Sequence, residues 1–439
     1  MGGQVRLLRA GEKKFQKYLL EIERRGEPED LRLEQKVRSI LSDVRRRGDR
    51  ALLHYTSLFD GINLSPKQLQ VQRAEVDRAY KRIPPEFLGT LRRAEQRIRT
   101  FHTLLSSRFD ASPRMEAQRE KGIRLSQITR PLERVGIYVP GGKASYPSTV
   151  LMAAIPASVA GVREILMVTP PQQGGISPAV LVAADLAGVD RIYGVGGVQA
   201  IAALAFGTES ISKVDKIVGP GNRYVATAKR LVYGSVGIDM VAGPSEIVVI
   251  ADGNTPPSWV AADLISQAEH DEMALAILIT PSERFGKKVL EGLRKQLSSL
   301  KRKRIAQTSL SRRGAVLIVR DLEQAIEVAN RIAPEHLELS LLNPSPLVRK
   351  LKHAGAIFLG PHTPEAIGDY LAGPNHILPT AGTARFFSPL GVEDFVKRTN
   401  VLGFTRPALK RFAEDVKRFT EWEGLEGHDR AVQARERNP

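Results

Sequence analysis

Glu335 and His336 stand side by side in Asn330-Arg-Ile-Ala-Pro-Glu-His-Leu-Glu-Leu339, and a carboxylate next to an imidazole is a candidate acid/base pair. Pro334 fixes its own φ and disfavours the helical region for Ala333. The spacing therefore predicts an extended Ala333 and a new element opening at a turn, where side chains can face a cleft. The plainer alternative is a surface Glu-His at a helix start, since a carboxylate in a first turn complements the helix dipole. A second candidate, Gln267-Ala-Glu-His270, closes an amphipathic stretch opened by Pro256, Pro257 and Ser258. Residues three apart share a helix face, so Gln267 and His270 reach a common point. A helix-terminal His stabilised by the dipole is the alternative there.

The densest stretch is Gly360 to Gly382, which carries His362, Glu365, Asp369 and His376 in a run rich in glycine and proline. Loops of that length are functional or disordered, and the apolar residues here speak for function. Gly194-Val-Gly-Gly-Val-Gln199 follows a predicted strand and precedes a predicted helix. Gln199 replaces the last glycine of the dinucleotide fingerprint, so an ordinary strand-to-helix turn stays open. Gly219-Pro-Gly-Asn222 and Tyr138-Val-Pro-Gly-Gly142 add backbone donors at other strand ends.

These residues need a scaffold, and the apolar pattern supplies one. Up to about Arg130 the chain is rich in charged and straight-chain residues, with helical spacing in Leu31 to Arg47 and Glu86 to Leu105. From Gly136 short apolar runs alternate with glycine and proline, the mark of strands alternating with helices. Ile165–Thr169, Arg191–Val195 and Lys216–Val218 read as buried parallel strands, with Ala179–Ala187 and Gln199–Phe206 as crossover helices. A second strand series follows in Ile247–Ile250, Ala276–Ile279 and Ala315–Val319. Two α/β units in tandem suit 439 residues. Their ligand cleft is expected near the carboxyl ends of the strands. Beyond Phe386, Pro407 opens a basic helix toward Trp422, and the tail reaches His428.

No apolar run is long enough for a membrane-spanning helix, and the first residues lack the apolar core of a secretory signal, so a cytoplasmic location is expected. The absence of cysteine excludes disulfides and thiolate chemistry and leaves nitrogen and oxygen ligands for any metal. The formal charge of +17 raises a nucleic-acid partner, but the basic clusters, such as Arg45-Arg46-Arg47, are short, scattered and free of interleaved aromatics. They read as solvated helix faces, so neither a nucleic acid nor a membrane is expected as partner.

Together, Gly136-Ile-Tyr-Val-Pro-Gly-Gly142, Val218-Gly-Pro-Gly-Asn222, Ala242-Gly-Pro-Ser-Glu246, Gln267-Ala-Glu-His-Asp271, Ala333-Pro-Glu-His-Leu-Glu338, Gly368-Asp-Tyr370, Gly373-Pro-Asn-His376 and Glu423-Gly-Leu425 with His428 resemble the histidinol dehydrogenase family, over nearly the whole chain. The resemblance implies zinc held by Gln267, His270, Asp369 and His428, and catalysis by Glu335 and His336. It implies substrate contacts at Ser245, Gln267, His270, His336, Asp369, His376, Glu423 and His428, and NAD contacts at Tyr138, Gln199 and Asn222. The implied reaction is oxidation of L-histidinol to L-histidine through the aldehyde with NAD, in a homodimer whose subunits share sites.

The implied fold is α/β: two incomplete Rossmann-like, doubly wound domains that exchange segments, with small helical N- and C-terminal pieces. In this division residues 1–35 lead in, 36–137 join 247–331, 138–246 join 332–384 as the NAD-binding domain, and 385–439 form the tail. A related dehydrogenase for another small polar alcohol, such as a sulfonated diol, is the alternative; His376, Glu423 and His428 suit an imidazole and an amine better. A zinc hydrolase would leave the glycine turns without a role.

Overall fold

The computed structural model describes residues 5–26, 30–106, 114–115, 120–141, 145–172 and 175–437; Gly142, the last residue of the Tyr138-Val-Pro-Gly-Gly142 motif, lies outside them. Its frame is two parallel sheets wound in the same order. The first runs Arg191–Gly194, Glu164–Thr169, Arg134–Tyr138, Lys216–Val218, Gly237–Ile238, which is 3-2-1-4-5 in chain order. The second runs Ala315–Ile318, Leu275–Thr280, Glu246–Ala251, His336–Ser340, Ala356–Leu359, again 3-2-1-4-5, with Arg6–Arg9 added at the edge beside Ala315–Ile318. Both have the Rossmann order cut short by one strand. Every residue of Glu246–Ala251 and Leu275–Thr280 is buried, as continuous apolar runs in a sheet covered on both faces require.

Helices cover both sheets. Leu31–Arg47 packs on Gly197–Phe206 through Val37, Leu41 and Val44, and Pro85–Ser106 packs on Pro147–Ala160. Lys13–Glu23 instead lies on the second sheet, where Phe15, Leu19 and Ile22 join Val248 and Ile277 in one core. A third, antiparallel sheet pairs Val396–Phe404 with Ile123–Pro131, so the C-terminal piece begins with a strand before its helices Arg406–Glu423 and Glu426–Arg437. Among the described residues no helix is long and apolar enough to cross a membrane.

The segments divide differently from the expectation. His336–Ser340 and Ala356–Leu359 join the sheet of Glu246–Ala251, with Leu337 opposite Val248, so 332–384 do not complete the sheet within 138–246. The reason is the central strand Glu246–Ala251, which requires a parallel neighbour on each side and takes Leu275–Thr280 and His336–Ser340. The segments that do cross are terminal. Residues 6–23 serve the second sheet, while the helices between 31 and 106 cover the first.

Candidate active site and metal centre

The expectation that both units offer strand carboxyl ends to one cleft holds for the first sheet only. In the second, Glu335 and His336 stand at the amino end of their strand, level with Glu246 and Ile247. The helix Pro257–Ala268 explains this, because a crossover helix runs back and delivers its C-terminus, with Gln267 and His270, to the amino ends of the strands. That helix end also carries partial negative charge, which favours a cation.

His270, Glu365 and Asp369 each bring a ligand atom to within 4.8 Å of the others. The stretch expected as one long loop contains the short helix Glu365–Tyr370, which puts Glu365 and Asp369 on one face, four residues apart. Reading it as loop is why the sequence pointed to Asp369 but not to Glu365 as a donor. Gln267 is fully buried, with one end of its amide 2.7 and 3.2 Å from the Glu365 carboxylate oxygens and the other 2.9 Å from the Glu246 N–H. Hydrogen bonding alone puts the nitrogen toward Glu365; a cation held by the cluster would put the oxygen there. An imidazole, two carboxylates and an amide oxygen are a donor set that fits a zinc ion. Burial pushes the Glu365 carboxyl well above the ordinary carboxylate range.

The acid/base pair adjoins this cluster. His336 Nδ1 lies 2.9 Å from the Glu246 carbonyl oxygen, so it donates its proton there and Nε2 keeps the lone pair. That Nε2 is buried, has no hydrogen-bond partner among the described residues, and lies 3.9 Å from Asp369 Oδ1. Burial lowers the His336 pKa and favours the neutral ring. Glu335 Oε2 accepts the Glu246 N–H at 2.8 Å, and burial raises its carboxyl well above the usual range. Ala333 is not extended as the proline predicts: it caps the helix Leu322–Ile332 in the left-handed region, φ 49°, and the pair opens a strand. The helix end outweighs the preference set by Pro334, because the Ala333 N–H still completes a bond to the Ala329 carbonyl. His376 donates from Nδ1 to the Asp369 carbonyl at 2.9 Å, and its Nε2 is 3.4 Å from Thr149 Oγ1 on the first sheet's helix Pro147–Ala160. Ser245 is half-buried just before Glu246, and His362 lies against Trp259, away from the cluster.

The other candidates meet at the first sheet's switch point, between Arg134–Tyr138 and Lys216–Val218. The Tyr138 hydroxyl accepts the Gly197 N–H at 3.2 Å, and burial pushes the phenol up to about 12, so it keeps a proton to donate. The Gln199 amide is fully buried, and neither its nitrogen nor its oxygen has a partner among the described residues. Asn222 caps the helix Arg223–Val232, accepting the Tyr224 and Val225 N–H groups, and so marks a helix N-terminus suited to phosphate. Gly219 precedes it at φ 110°, where an added Cβ would stand 2.2 Å from the Tyr138 carbonyl oxygen. Both main-chain groups of Gly219 are clamped: Lys229 donates to its carbonyl at 2.8 Å and Asp239 accepts its N–H at 2.8 Å, and these two charged side chains pair in the interior. Orphaned amide atoms, a phenol and a rigid glycine turn fit a dinucleotide. Glu423 and His428 stand apart on the exposed C-terminal helices.

Two doubly wound sheets, with a glycine turn at one switch point and a buried imidazole beside a group of residues that could hold a metal ion, are the frame of a dehydrogenase. The family model described as histidinol dehydrogenase matches residues 23–436. The chain is 53% identical over 431 residues to the histidinol dehydrogenase of Syntrophotalea carbinolica, covering 98% of this chain and 99% of that one. It is 52% identical over 430 residues to that of Aquifex aeolicus, covering 98% of each. The crystal structure of histidinol dehydrogenase from Elizabethkingia anophelis superimposes with a TM-score of 0.91 at 36% identity, covering 99% of this chain and 98% of that one. The chain belongs to the histidinol dehydrogenase family, enzymes of histidine biosynthesis.

Proposed function

We propose that this protein oxidises L-histidinol to L-histidine through the aldehyde, in the cytoplasm, each half passing a hydride to NAD held by Tyr138, Gln199 and Asn222. His336 carries this reading: its Nδ1 proton is committed to Glu246, and its free Nε2 is buried beside the cluster. That nitrogen takes the hydroxyl proton as hydride leaves the carbinol carbon, and takes a proton again when the hydrated aldehyde is oxidised. Glu335, held by the Glu246 N–H at one carboxylate oxygen, takes the proton of the water that adds to the aldehyde. Zinc held by Gln267, His270 and Asp369, with His428, would supply a cationic centre for the imidazole and amine of histidinol. Glu365 is a further donor that this geometry adds. Ser245, His376 and Glu423 complete the substrate contacts.

The two tail residues would come from a second copy of the chain. Trp422, 93% exposed, and Phe419, 70% exposed, share the helix that ends at Glu423, and apolar surface of this kind calls for a covering partner. The activity is tested by following NAD reduction with L-histidinol before and after treatment with a chelator. Turnover should be lost with the metal and return with zinc. Turnover that survives exhaustive metal removal, or a sulfonated diol oxidised faster than histidinol, would overturn the assignment.

A further inference from the structure

We infer that Arg25 and the Glu246 carboxylate form a strut that fixes Glu335 and His336, which makes Arg25 a positioning residue for the acid/base pair; the inference rests on the roles proposed above. Glu246 touches both members of the pair with its main chain alone, donating its N–H to Glu335 Oε2 at 2.8 Å and accepting His336 Nδ1 at 2.9 Å. Its side chain is tied elsewhere. Arg25 Nε and Nη2 reach the Glu246 carboxylate oxygens at 2.5 and 2.7 Å, with both side chains 3% exposed, and the Ala381 N–H adds a third bond at 3.1 Å. The same guanidinium donates to the Ile332 carbonyl at 2.9 Å, just before the turn that releases Glu335, and to Ile22 at 2.7 Å. One side chain therefore ties the strand Glu246–Ala251 to the helix end that leads into Glu335 and His336.

Backbone geometry supplies an independent sign. The two non-glycine residues with positive φ among those described are Ala333 at 49° and Ala381 at 55°, and both belong to this knot. Ala333 directly precedes Pro334 and Glu335, and its carbonyl lies 3.5 Å from Arg25 Nη2; Ala381 donates to Glu246. Such conformations persist only where the surroundings over-determine them, and they gather at functional sites. A buried ion pair is a weak device for stability, because its desolvation cost rivals its attraction. As a fork with fixed directions it is a strong device for alignment.

Arg25→Lys keeps the charge and loses the planar fork, and Arg25→Met removes both. A misplacement of about 1 Å costs on the order of 100-fold in rate. Arg25→Met should therefore lose roughly that factor in kcat for both half-reactions. Arg25→Lys should lose less, and in both variants KM for histidinol and NAD and the metal content should stay close to wild type. In the His336→Ala background the Arg25→Lys loss in alcohol oxidation should largely vanish, because that half-reaction depends on the strut through His336 alone. A full multiplicative loss in the double variant, or a wild-type kcat in Arg25→Lys, would overturn the strut. If Arg25→Met does not fold, Arg25→Lys carries the test. A readout independent of turnover separates this inference from the proposed function. The Nδ1 proton resonance of His336 in ¹⁵N-histidine-labelled protein, assigned by its absence in His336→Ala, should shift in Arg25→Lys. An unmoved resonance refutes the strut whatever the activity, while a shifted resonance with a fully active His336→Ala refutes only the catalytic role.

Discussion

Glu335 and His336 are neighbours in sequence, yet they are handled by opposite ends of one peptide unit pair, the N–H and the C=O of Glu246. This separates their roles, because the carboxylate accepts a bond that leaves its second oxygen for water, while the imidazole is locked in the tautomer whose Nε2 is a base. Water addition belongs to the second oxidation only. Glu335→Gln should therefore slow oxidation of the aldehyde by about 100-fold or more and oxidation of the alcohol far less, a general base being worth about that much. Separate assays of the two half-reactions check this, and equal losses would remove Glu335 from the water-activating role. The residue types were legible in the sequence; the shared partner Glu246 was not, because it lies on another strand.

Among elements, the helix Pro85–Ser106 buries a polar side chain within its apolar stripe. Leu91, Ala94, Ile98 and His102 recur at helical spacing and are all buried. The stripe predicts the helix, but an imidazole occupies its last position. Both ring nitrogens of His102 lack a partner among the described residues, and burial lowers its pKa from 6.5 to about 4. The unfolded chain then binds this proton below pH 6.5 and the folded chain only near 4, so stability falls as pH drops through that window. Between pH 7 and 5 this amounts to about 2 kcal/mol, at 1.36 kcal/mol per pH unit below the unfolded value. His102→Leu should remove that part of the acid sensitivity. Urea unfolding at the two pH values measures it, and an unchanged difference between them would exclude His102 as its source.

For the molecule as a whole, the isolated chain keeps Glu423 and His428 on exposed terminal helices, while His270, Glu365 and Asp369 converge without them. A twofold dimer in which each tail serves the other site must build both sites alike. Mixing the variants His336→Ala and His428→Ala, each reduced to residual activity, and allowing subunit exchange then gives hybrids with one doubly lesioned and one intact site. About half the dimers become hybrid, so roughly a quarter of all sites should recover activity. If each chain builds its own site, mixing restores nothing. Hybrids verified by tagged subunits but without activity would exclude shared sites.

The sequence alone marked six of the parallel strands, two of the crossover helices and the candidate chemistry-bearing residues. Their signals are local: apolar runs such as Ile247–Ile250, the Gln267/His270 spacing and the Pro334-Glu335-His336 run all read from neighbouring residues. Tertiary structure decided everything that depends on which strand meets which. It placed His336–Ser340 beside Glu246–Ala251, turned the candidate acid/base pair to the amino ends of the second sheet and added Glu365 to the cluster. It also brought Arg25 across the chain to Glu246. Pairing between distant strands is settled by hydrogen-bond registry and burial across the whole core, and neither leaves a mark within the span of a local pattern.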